Sequence, residues 1–167
     1  MLIRVEIPVD AAGIDKLLRK SFPSEAESQL VHQLRENGLI TLGVVATDDY
    51  GGVIGYVAFS PVMINGEELQ WVGLAPLAVA EKHRGAGLGK ALVYEGLDAL
   101  NEFGYAAVAV LGDPAYYGPL GFKTAADFKL RCKWPDTESA FQIYPLAEES
   151  LNGISGLVEY SELFDQC

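Results

Sequence analysis

The pattern of apolar and polar positions at the start of the chain is that of a short strand followed by a helix. Residues 2–7 alternate as in a strand, and the next residues repeat with the period of an amphipathic helix. Asp10 is placed to N-cap this helix, and Pro23 ends it. Its predicted apolar face is made of Ile14, Leu17, Leu18 and Phe22.

A serine and a glutamate three residues apart indicate the start of a second helix. Ser24 and Glu27 have the spacing of a capping box, in which two side chains satisfy free amides of the first turn. Gly38 suits the position just after the helix, where a positive φ is common. The apolar face predicted between them is made of Leu30, Val31 and Leu34.

Three predicted strands follow. Residues 41–47 form one, and a turn at 48–52 connects it to the next, residues 53–63. Asn65-Gly66 is a strong hairpin signal, so the third of these strands, about 68–79, should return antiparallel.

This last strand, the fourth of the chain, carries residues that disturb strand pairing. It contains Gly73 and Pro76, and proline cannot donate a hydrogen bond to a neighbouring strand. We therefore expect the strand to be bulged or split there.

In the second half of the chain, segments with the apolar period of a helix alternate with segments with the pattern of a strand. A helix is predicted from Gly87 to Glu102, with Gly104 just after it, and a short central strand at 106–111. The predicted buried side of the helix holds Leu88, Leu92, Ala99 and Phe103. Beyond it we expect a turn at 112–114, a helical segment at 115–120 and a β section from Gly121-Phe122, with 140–146 its best strand. The order predicts one mixed α/β domain spanning residues 1–167.

Composition narrows the classes of protein. Half of the 167 residues are apolar, which excludes an intrinsically disordered chain, and no apolar stretch approaches a membrane span. The net charge of −11 disfavours broad binding to nucleic acid or to an anionic membrane. The N-terminus has no apolar core of a signal peptide, and we expect Cys132 and Cys167 to be free thiols of a cytoplasmic protein.

The segment from Leu77 to Lys90 runs against the acidic charge of the rest of the chain. A strand leads through a glycine-rich turn into a helix, and Lys82, Arg84 and Lys90 fall within nine residues. Free amides and the dipole at a helix N-terminus attract phosphate, and glycines let the phosphate approach the backbone. The loop therefore predicts a phosphate or pyrophosphate site, against the alternative of a solvated connection.

Spacing separates this loop from two other phosphate loops. The dinucleotide pattern GxGxxG fails because Lys90 stands where its last glycine belongs, and the pattern GxxxxGK[ST] fails at Arg84 and Ala91. The pattern that fits is Arg84-x-x-Gly87-x-Gly89. With this motif and the order of elements, residues 2 to about 146 resemble the GNAT superfamily of N-acetyltransferases.

The resemblance implies a fold and a cosubstrate. The GNAT fold has a mostly antiparallel sheet with a splayed fourth and fifth strand, flanked by helices, and it binds acetyl-CoA. The implied pyrophosphate cradle is Arg84, Gly85, Ala86, Gly87, Leu88, Gly89 and Lys90. The pantetheine arm would pair with the backbone of Leu77, Ala78 and Val79, where the amide of Ala78 or Leu77 would stabilise the oxyanion.

The resemblance also assigns a role to a tyrosine five residues before the phenylalanine of the Gly121-Phe122 pair. Tyr117 would protonate the departing CoA sulfur as a general acid; a half-buried aromatic residue is the alternative. Tyr116 would pack or line the cofactor channel. Asp113 lies near the channel, and a turn-capping role is equally compatible with its position.

The general base is not identified by the sequence. Glu67 and Glu68 are candidates, with solvated hairpin charges as the alternative, and His83 and His32 fit contact or surface roles better. No spacing of His, Asp or Glu predicts a metal. We expect a primary amine to attack the thioester directly. The acidic charge of the protein favours an acceptor that is a cation. We expect the enzyme to be a monomer or homodimer. The rivals are a non-catalytic acyl-CoA-binding module and a transferase of longer acyl chains.

Overall fold

The computed structural model describes residues 1–166 as a mixed α/β fold with an open, mostly antiparallel sheet. Its helices are α1 (Ala11–Ser21), α2 (Ala26–Glu36), α3 (Leu88–Glu102) and α4 (Pro114–Tyr117). Its strands are β1 (Leu2–Val5), β2 (Leu42–Thr47), β3 (Val53–Ile64), β4 (Glu67–Val79), β5 (Ala107–Leu111), β6 (Lys123–Thr124), β7 (Leu130–Arg131), β8 (Phe141–Pro145) and β9 (Gly156–Tyr160). None of the described helices is long and apolar enough to cross a membrane.

The chain forms two compact units, each assembled from separate stretches of sequence. The first holds Met1–Ser60, Ala75–Ala99 and the residues from Glu162 on; the second holds Pro61–Leu74 and Leu100–Ser161. Strands β3 and β4 and helix α3 contribute residues to both units. The single domain expected over residues 1–167 stays a prediction.

In the first unit, β1, β2 and β3 pair antiparallel in sequence order, with Leu2 opposite Thr47 and Leu42 opposite Phe59. On helix α3, Gly96 faces Phe59, and any Cβ at this position would collide with the ring. The glycine thus lets α3 lie close against β3. One apolar cluster of this unit joins α1, α2 and the strands through Ile14, Leu17, Leu18, Val31, Val45, Tyr56, Ala58 and Ala78.

In the second unit, β4 pairs parallel with β5 over Trp71–Gly73, and β5 pairs antiparallel with β8 along its whole length. Strand β9 pairs antiparallel with residues Val62–Ile64 of β3 and parallel with β7. Their common core includes Trp71, Ala107, Ala109, Leu130, Cys132, Phe141, Ile143 and Val158.

Turn and helix-end predictions that depend on glycine are confirmed. Asn65 and Gly66 both have positive φ, at 51° and 82°, as the tight turn between β3 and β4 requires. Gly38 and Gly104 also have positive φ and follow the ends of α2 and α3. Burial of Ile14, Leu17 and Leu18 on α1, and of Leu30, Val31 and Leu34 on α2, is likewise as predicted.

The predicted N-cap at Ser24 is wrong, and the one at Asp10 is confirmed in position but not in its side-chain hydrogen bond. Helix α2 begins at Ala26, and Ser24 accepts a hydrogen bond only from the Ala26 amide, so the capping box of Ser24 and Glu27 does not form. Asp10 precedes α1 but makes no hydrogen bond to its first turn. Its carboxylate accepts from the Ile7 amide and from both terminal nitrogens of Arg4. The stronger charged donor therefore takes the carboxylate.

Two other expectations are corrected. Strand β4 is not split, since it runs unbroken from Glu67 to Val79 through a cis Ala75-Pro76 bond, whereas a bulge there stays a prediction. Gly73 instead leaves room for the Tyr160 ring, whose Cε2 atom would lie 2.5 Å from an added Cβ. Phe103 is 68% exposed because it follows the last residue of α3, so it is not part of the buried face.

Candidate functional site

A basic, glycine-containing loop connects the end of β4 to the start of α3, within the first unit. After Val79, the Ala80 amide donates to the Ile54 carbonyl at 2.8 Å, and Glu81–His83 form a single 3₁₀ turn. Gly85 and Gly87 have φ of 80° and 83°, a conformation that glycine adopts without strain. A Cβ built on either would meet nothing within 4 Å, so both glycines border open space that a ligand could enter.

The first turn of α3 directs its free amides to this loop. The Ala91 amide donates to the Gly87 carbonyl at 3.0 Å, so the amides of Leu88, Gly89 and Lys90 precede the first helical hydrogen bond. Leu88 is buried and anchors the turn. The amides and the positive end of the helix dipole suit an anion.

Charged side chains reinforce the positive end of α3. Lys82, Arg84 and Lys90 are exposed, and the Lys90 ammonium lies 5.6 Å from the centre of the Tyr94 ring. The Nε of Arg84 donates to the Val79 carbonyl at 2.8 Å, which ties the loop back to the end of β4. Arg84 therefore shapes the loop as well as adding charge.

The three residues predicted to present their backbone lie at the end of β4. The side chain of Ala78 is buried in the cluster with α1 and α2, whereas Leu77 and Val79 are half-buried. Side chains alternate along a strand, so Leu77 and Val79 face the opposite side of the sheet. The buried side chain of Ala78 thus anchors the end of the strand.

Tyr117 lies in the second unit as the last residue of α4. Its ring packs edge-on against Tyr116 and Phe122, with centroids 4.9 Å and 5.4 Å away. An added Cβ on Gly112 would lie 2.7 Å from the Tyr117 ring, so glycine leaves the space that the ring occupies. These contacts fix the position of the phenol.

The turn before α4 confirms the capping role of Asp113. Its carboxylate accepts a hydrogen bond from the Ala115 amide at 2.9 Å, and its carbonyl accepts from the amides of Tyr116 and Tyr117 at 3.0 Å. Asp113 and Tyr116 are exposed. Asp113 therefore sets the orientation of the short helix that carries Tyr117.

Burial controls the protonation of Tyr117. It raises the pKa of the phenol to about 12, with a smaller contribution from the neighbouring Tyr116. Burial also raises the pKa of Tyr116. The Tyr117 hydroxyl therefore keeps its proton throughout the neutral range, so a donor hydrogen is present there.

The other residues considered for catalysis are either exposed side chains or, for Cys132, part of the core. Glu67 and Glu68 are exposed at the start of β4, as the solvated alternative predicts, and His32 is exposed on α2. Cys132 is a free thiol buried in the core of the second unit, with its Sγ 3.2 Å from the Thr137 hydroxyl. Cys167 lies outside the described residues.

A partly buried charged cluster in the first unit was missed by the sequence analysis. Glu6 accepts a hydrogen bond from the Tyr56 hydroxyl at 2.8 Å and from the Arg35 guanidinium at 2.6 Å. Gly43 leaves room for the carboxylate, because a Cβ there would overlap it. Glu6 follows β1, Tyr56 lies in β3 and Arg35 lies in α2, so only the folded chain reveals their proximity. Across residues 1–166, no three His, Cys, Asp or Glu side chains are grouped to hold a metal.

Comparison with known proteins relates these features to a family. The model of the acetyltransferase (GNAT) family matches residues 12–122, which include the whole loop and Tyr117. The N-acetyltransferase YhbS of Escherichia coli is 69% identical over 166 residues, covering 99% of both chains.

Solved structures show the same relationship in three dimensions. The crystal structure of Escherichia coli YhbS in complex with CoA superimposes with a TM-score of 0.97, covering 98% of this chain and 91% of that one. A GNAT acetyltransferase of Brucella melitensis in complex with acetyl-CoA is 34% identical, with a TM-score of 0.82 and coverage of 98% and 97%. The match of the family model and the full-length identity to YhbS together show that this chain belongs to the GNAT family of N-acetyltransferases.

Proposed function

We propose that this enzyme transfers the acetyl group of acetyl-CoA to a primary amine by direct attack within a ternary complex. The observation that carries the proposal is the loop from Val79 to Leu88, where two glycines of positive φ border open space at the N-terminus of α3. Relatives that are 69% and 34% identical were solved with CoA and acetyl-CoA, which supports the same ligand here.

The pyrophosphate of acetyl-CoA would bind at the loop from Val79 to Leu88. The amides of Leu88, Gly89 and Lys90 would hold its oxygens, and Gly85, Ala86 and Gly87 would leave room for them. Arg84 and Lys90 would add positive charge to an otherwise acidic protein. Bound there, acetyl-CoA supplies the thioester that the amine attacks.

The backbone at the end of β4 is proposed to hold the acyl end of the cosubstrate. Its pairing with β5 covers Trp71–Gly73, and the proposal concerns the residues beyond, Leu77 to Val79. The amide of Ala78 or Leu77 would donate to the carbonyl oxygen as negative charge develops on it. Because the backbone makes the contact, replacing the side chain of Leu77 or Ala78 should lower turnover less than distorting the strand.

Tyr117 is proposed to act on the departing sulfur. Its phenol keeps its proton because burial raises the pKa to about 12, whereas a thiol ordinarily has a pKa near about 8.5. The phenol is therefore the weaker acid of the two, and it supports departure of the sulfur by donating a hydrogen bond to it as negative charge accumulates there. Asp113 would position Tyr117 through the turn, and Tyr116 would pack beside it.

Direct attack is preferred to a covalent acyl-enzyme. The alternative nucleophile, Cys132, is 9% exposed and belongs to the apolar core of the second unit. A thiol enclosed in the core in this way is not accessible to the thioester of the cosubstrate. The amine itself is therefore the proposed nucleophile.

Net charge and thiol chemistry are the basis for the proposed acceptor and the proposed cellular compartment. We propose a cationic primary amine, drawn by the net charge of −11, and a cytoplasmic reaction consistent with free Cys132. We also propose that the enzyme acts as a monomer or homodimer.

Two measurements test this function against a non-catalytic acyl-CoA-binding module. Calorimetry should detect acetyl-CoA binding under either hypothesis. Release of CoA that depends on an added primary amine is expected only of the enzyme, and acetyl-CoA binding without such release across a broad amine panel would favour the module. A series of longer acyl-CoA donors distinguishes acetyl transfer from transfer of larger groups.

A further inference from the structure

Glu27 is a charged residue on the apolar face of α2. Glu27, Leu30, Val31 and Leu34 occupy positions i, i+3, i+4 and i+7, the spacing of one helical face. The three aliphatic residues are 4%, 2% and 0% exposed. Position 27 thus extends this stripe with a carboxylate in place of an apolar side chain, and Glu27 as a whole is half-buried.

One oxygen of this carboxylate lacks a partner. Within residues 1–166, Oε1 of Glu27 is buried and makes no hydrogen bond. The capping box that would have explained the glutamate does not form. A buried carboxylate oxygen without a donor costs free energy, and such groups are rare unless they serve a function.

The helix dipole explains only part of this placement. An acidic residue in the first turn of α2 is favoured by the positive end of the helix. Glu25, which precedes the helix, has this advantage while it remains 62% exposed and paired with Arg19. The dipole therefore does not require a carboxylate on the buried face.

The same helical face leads to the strand of the proposed cosubstrate site. Val31, one turn beyond Glu27, belongs to the apolar cluster that contains Ala78 of β4. Glu27, Val31 and Ala78 all lie in the first unit. Glu27 therefore lies one turn from the part of α2 that packs into the cluster with Ala78, whose backbone is proposed to bind the acyl group.

We propose that Glu27 binds the acceptor amine as its ammonium ion, through a charge-assisted hydrogen bond to Oε1. This inference rests on the proposed acetyl transfer and specifies its substrate class as a cation. The carboxylate contributes binding and orientation, and the later loss of a proton from the ammonium is assigned to no residue. A neutral nitrogen nucleophile gains nothing from this charge.

The test compares Glu27→Gln with the wild type for two nucleophiles. Glutamine keeps the shape and an oxygen acceptor but removes the charge. The probes are 1,4-diaminobutane, which is cationic at neutral pH, and hydroxylamine, which is uncharged there; CoA release gives kcat and KM after subtraction of the uncatalysed rate. Glu25→Gln is the matched control, because it removes an equal charge beside the same helix end from an exposed side chain.

We expect Glu27→Gln to raise KM for 1,4-diaminobutane roughly tenfold to hundredfold, the effect of one hydrogen bond to a charged group. KM for hydroxylamine, the acetyl-CoA affinity and all Glu25→Gln values should stay near wild type. An equal effect on both nucleophiles, no effect on either, or the same effect in Glu25→Gln would overturn the proposal.

A binding measurement decides the matter if neither probe is acetylated. In the presence of CoA, 1,4-diaminobutane should raise the Tm of the wild type and of Glu25→Gln but not of Glu27→Gln. The absence of a shift in the wild type, or an equal shift in all three proteins, overturns the proposal. Failure of the proposed function is distinct, because it would appear as loss of acetyl-CoA binding or as absence of turnover with every amine.

Discussion

The side chain of Arg84 reaches back five residues to the main chain of Val79, where its Nε donates to the carbonyl oxygen at 2.8 Å. This hydrogen bond joins the glycine loop to the end of β4. It therefore links the proposed phosphate cradle to the backbone proposed to bind the acyl arm. The arginine of the motif thus has a structural role besides its charge.

Removal of this link should weaken cosubstrate binding. We expect Arg84→Ala to raise the Kd of acetyl-CoA by about tenfold, from lost charge and lost order in the loop together. Lys82→Ala is the matched control, because it removes an exposed charge two residues away without breaking the hydrogen bond to Val79. Calorimetry measures both, and equal losses would show that only charge matters.

A side chain at Gly87 should cost more affinity than loss of Arg84. Gly87 has a φ of 83°, so valine strains the loop and introduces atoms where the phosphate would bind. Gly51→Val is the control for strain, since Gly51 has a φ of 81° in the turn between β2 and β3 and also borders open space. Both variants should lose stability, but only Gly87→Val should lose acetyl-CoA binding. Unaltered affinity in Gly87→Val would remove the basis of the cradle.

Alkaline pH should destabilise the protein through its buried phenols. Burial raises the pKa of Tyr117 to about 12, so this stability is fully present below the ordinary tyrosine pKa near about 10 and is lost as pH rises toward 12. Tyr117→Phe should flatten the decline of the unfolding free energy by up to about 1.4 kcal/mol per pH unit in this window. Urea unfolding between pH 9 and pH 12 measures the slope; an unchanged slope would contradict the raised pKa.

Thiol chemistry tests the choice of direct attack. Mass measurement without reductant should find no intramolecular bridge between Cys132 and Cys167. Cys132→Ala should retain turnover, because its thiol packs in the core and is not a nucleophile. A modest loss of stability is expected from the emptied space. Loss of turnover in a folded Cys132→Ala protein, or an acetylated Cys132, would favour a covalent mechanism.

Local signals in the sequence predicted those parts of the fold that local geometry controls. Asn65-Gly66 forms its turn because both residues adopt positive φ at little cost, and Gly38 follows the end of α2 with a positive φ of its own. The loop motif was recognisable because its glycines, charges and helix start are contiguous. Residue spacing alone was therefore sufficient for these features.

Features that depend on distant residues were not predicted. Strand β9 is defined by its pairing with Val62–Ile64, almost a hundred residues earlier in the chain. The hydrogen bond between Glu6 and Tyr56 likewise joins residues fifty positions apart. Glu27 was interpreted as a capping residue because the pattern shows spacing but not which way the side chain turns. Only packing of α2 distinguishes these roles.

The most direct test of the account is the rate of amine-dependent CoA release by the wild type and by Tyr117→Phe. Phenylalanine keeps the ring contacts with Tyr116 and Phe122 and deletes only the hydroxyl. We predict unchanged acetyl-CoA affinity and a fall of roughly 10²–10⁴-fold in kcat and in kcat/KM together, nearer the low end because a thiolate leaves fairly well unaided. Near-normal turnover in Tyr117→Phe would contradict the role of the phenol, and a wild type that binds acetyl-CoA but acetylates no amine would contradict the proposed reaction.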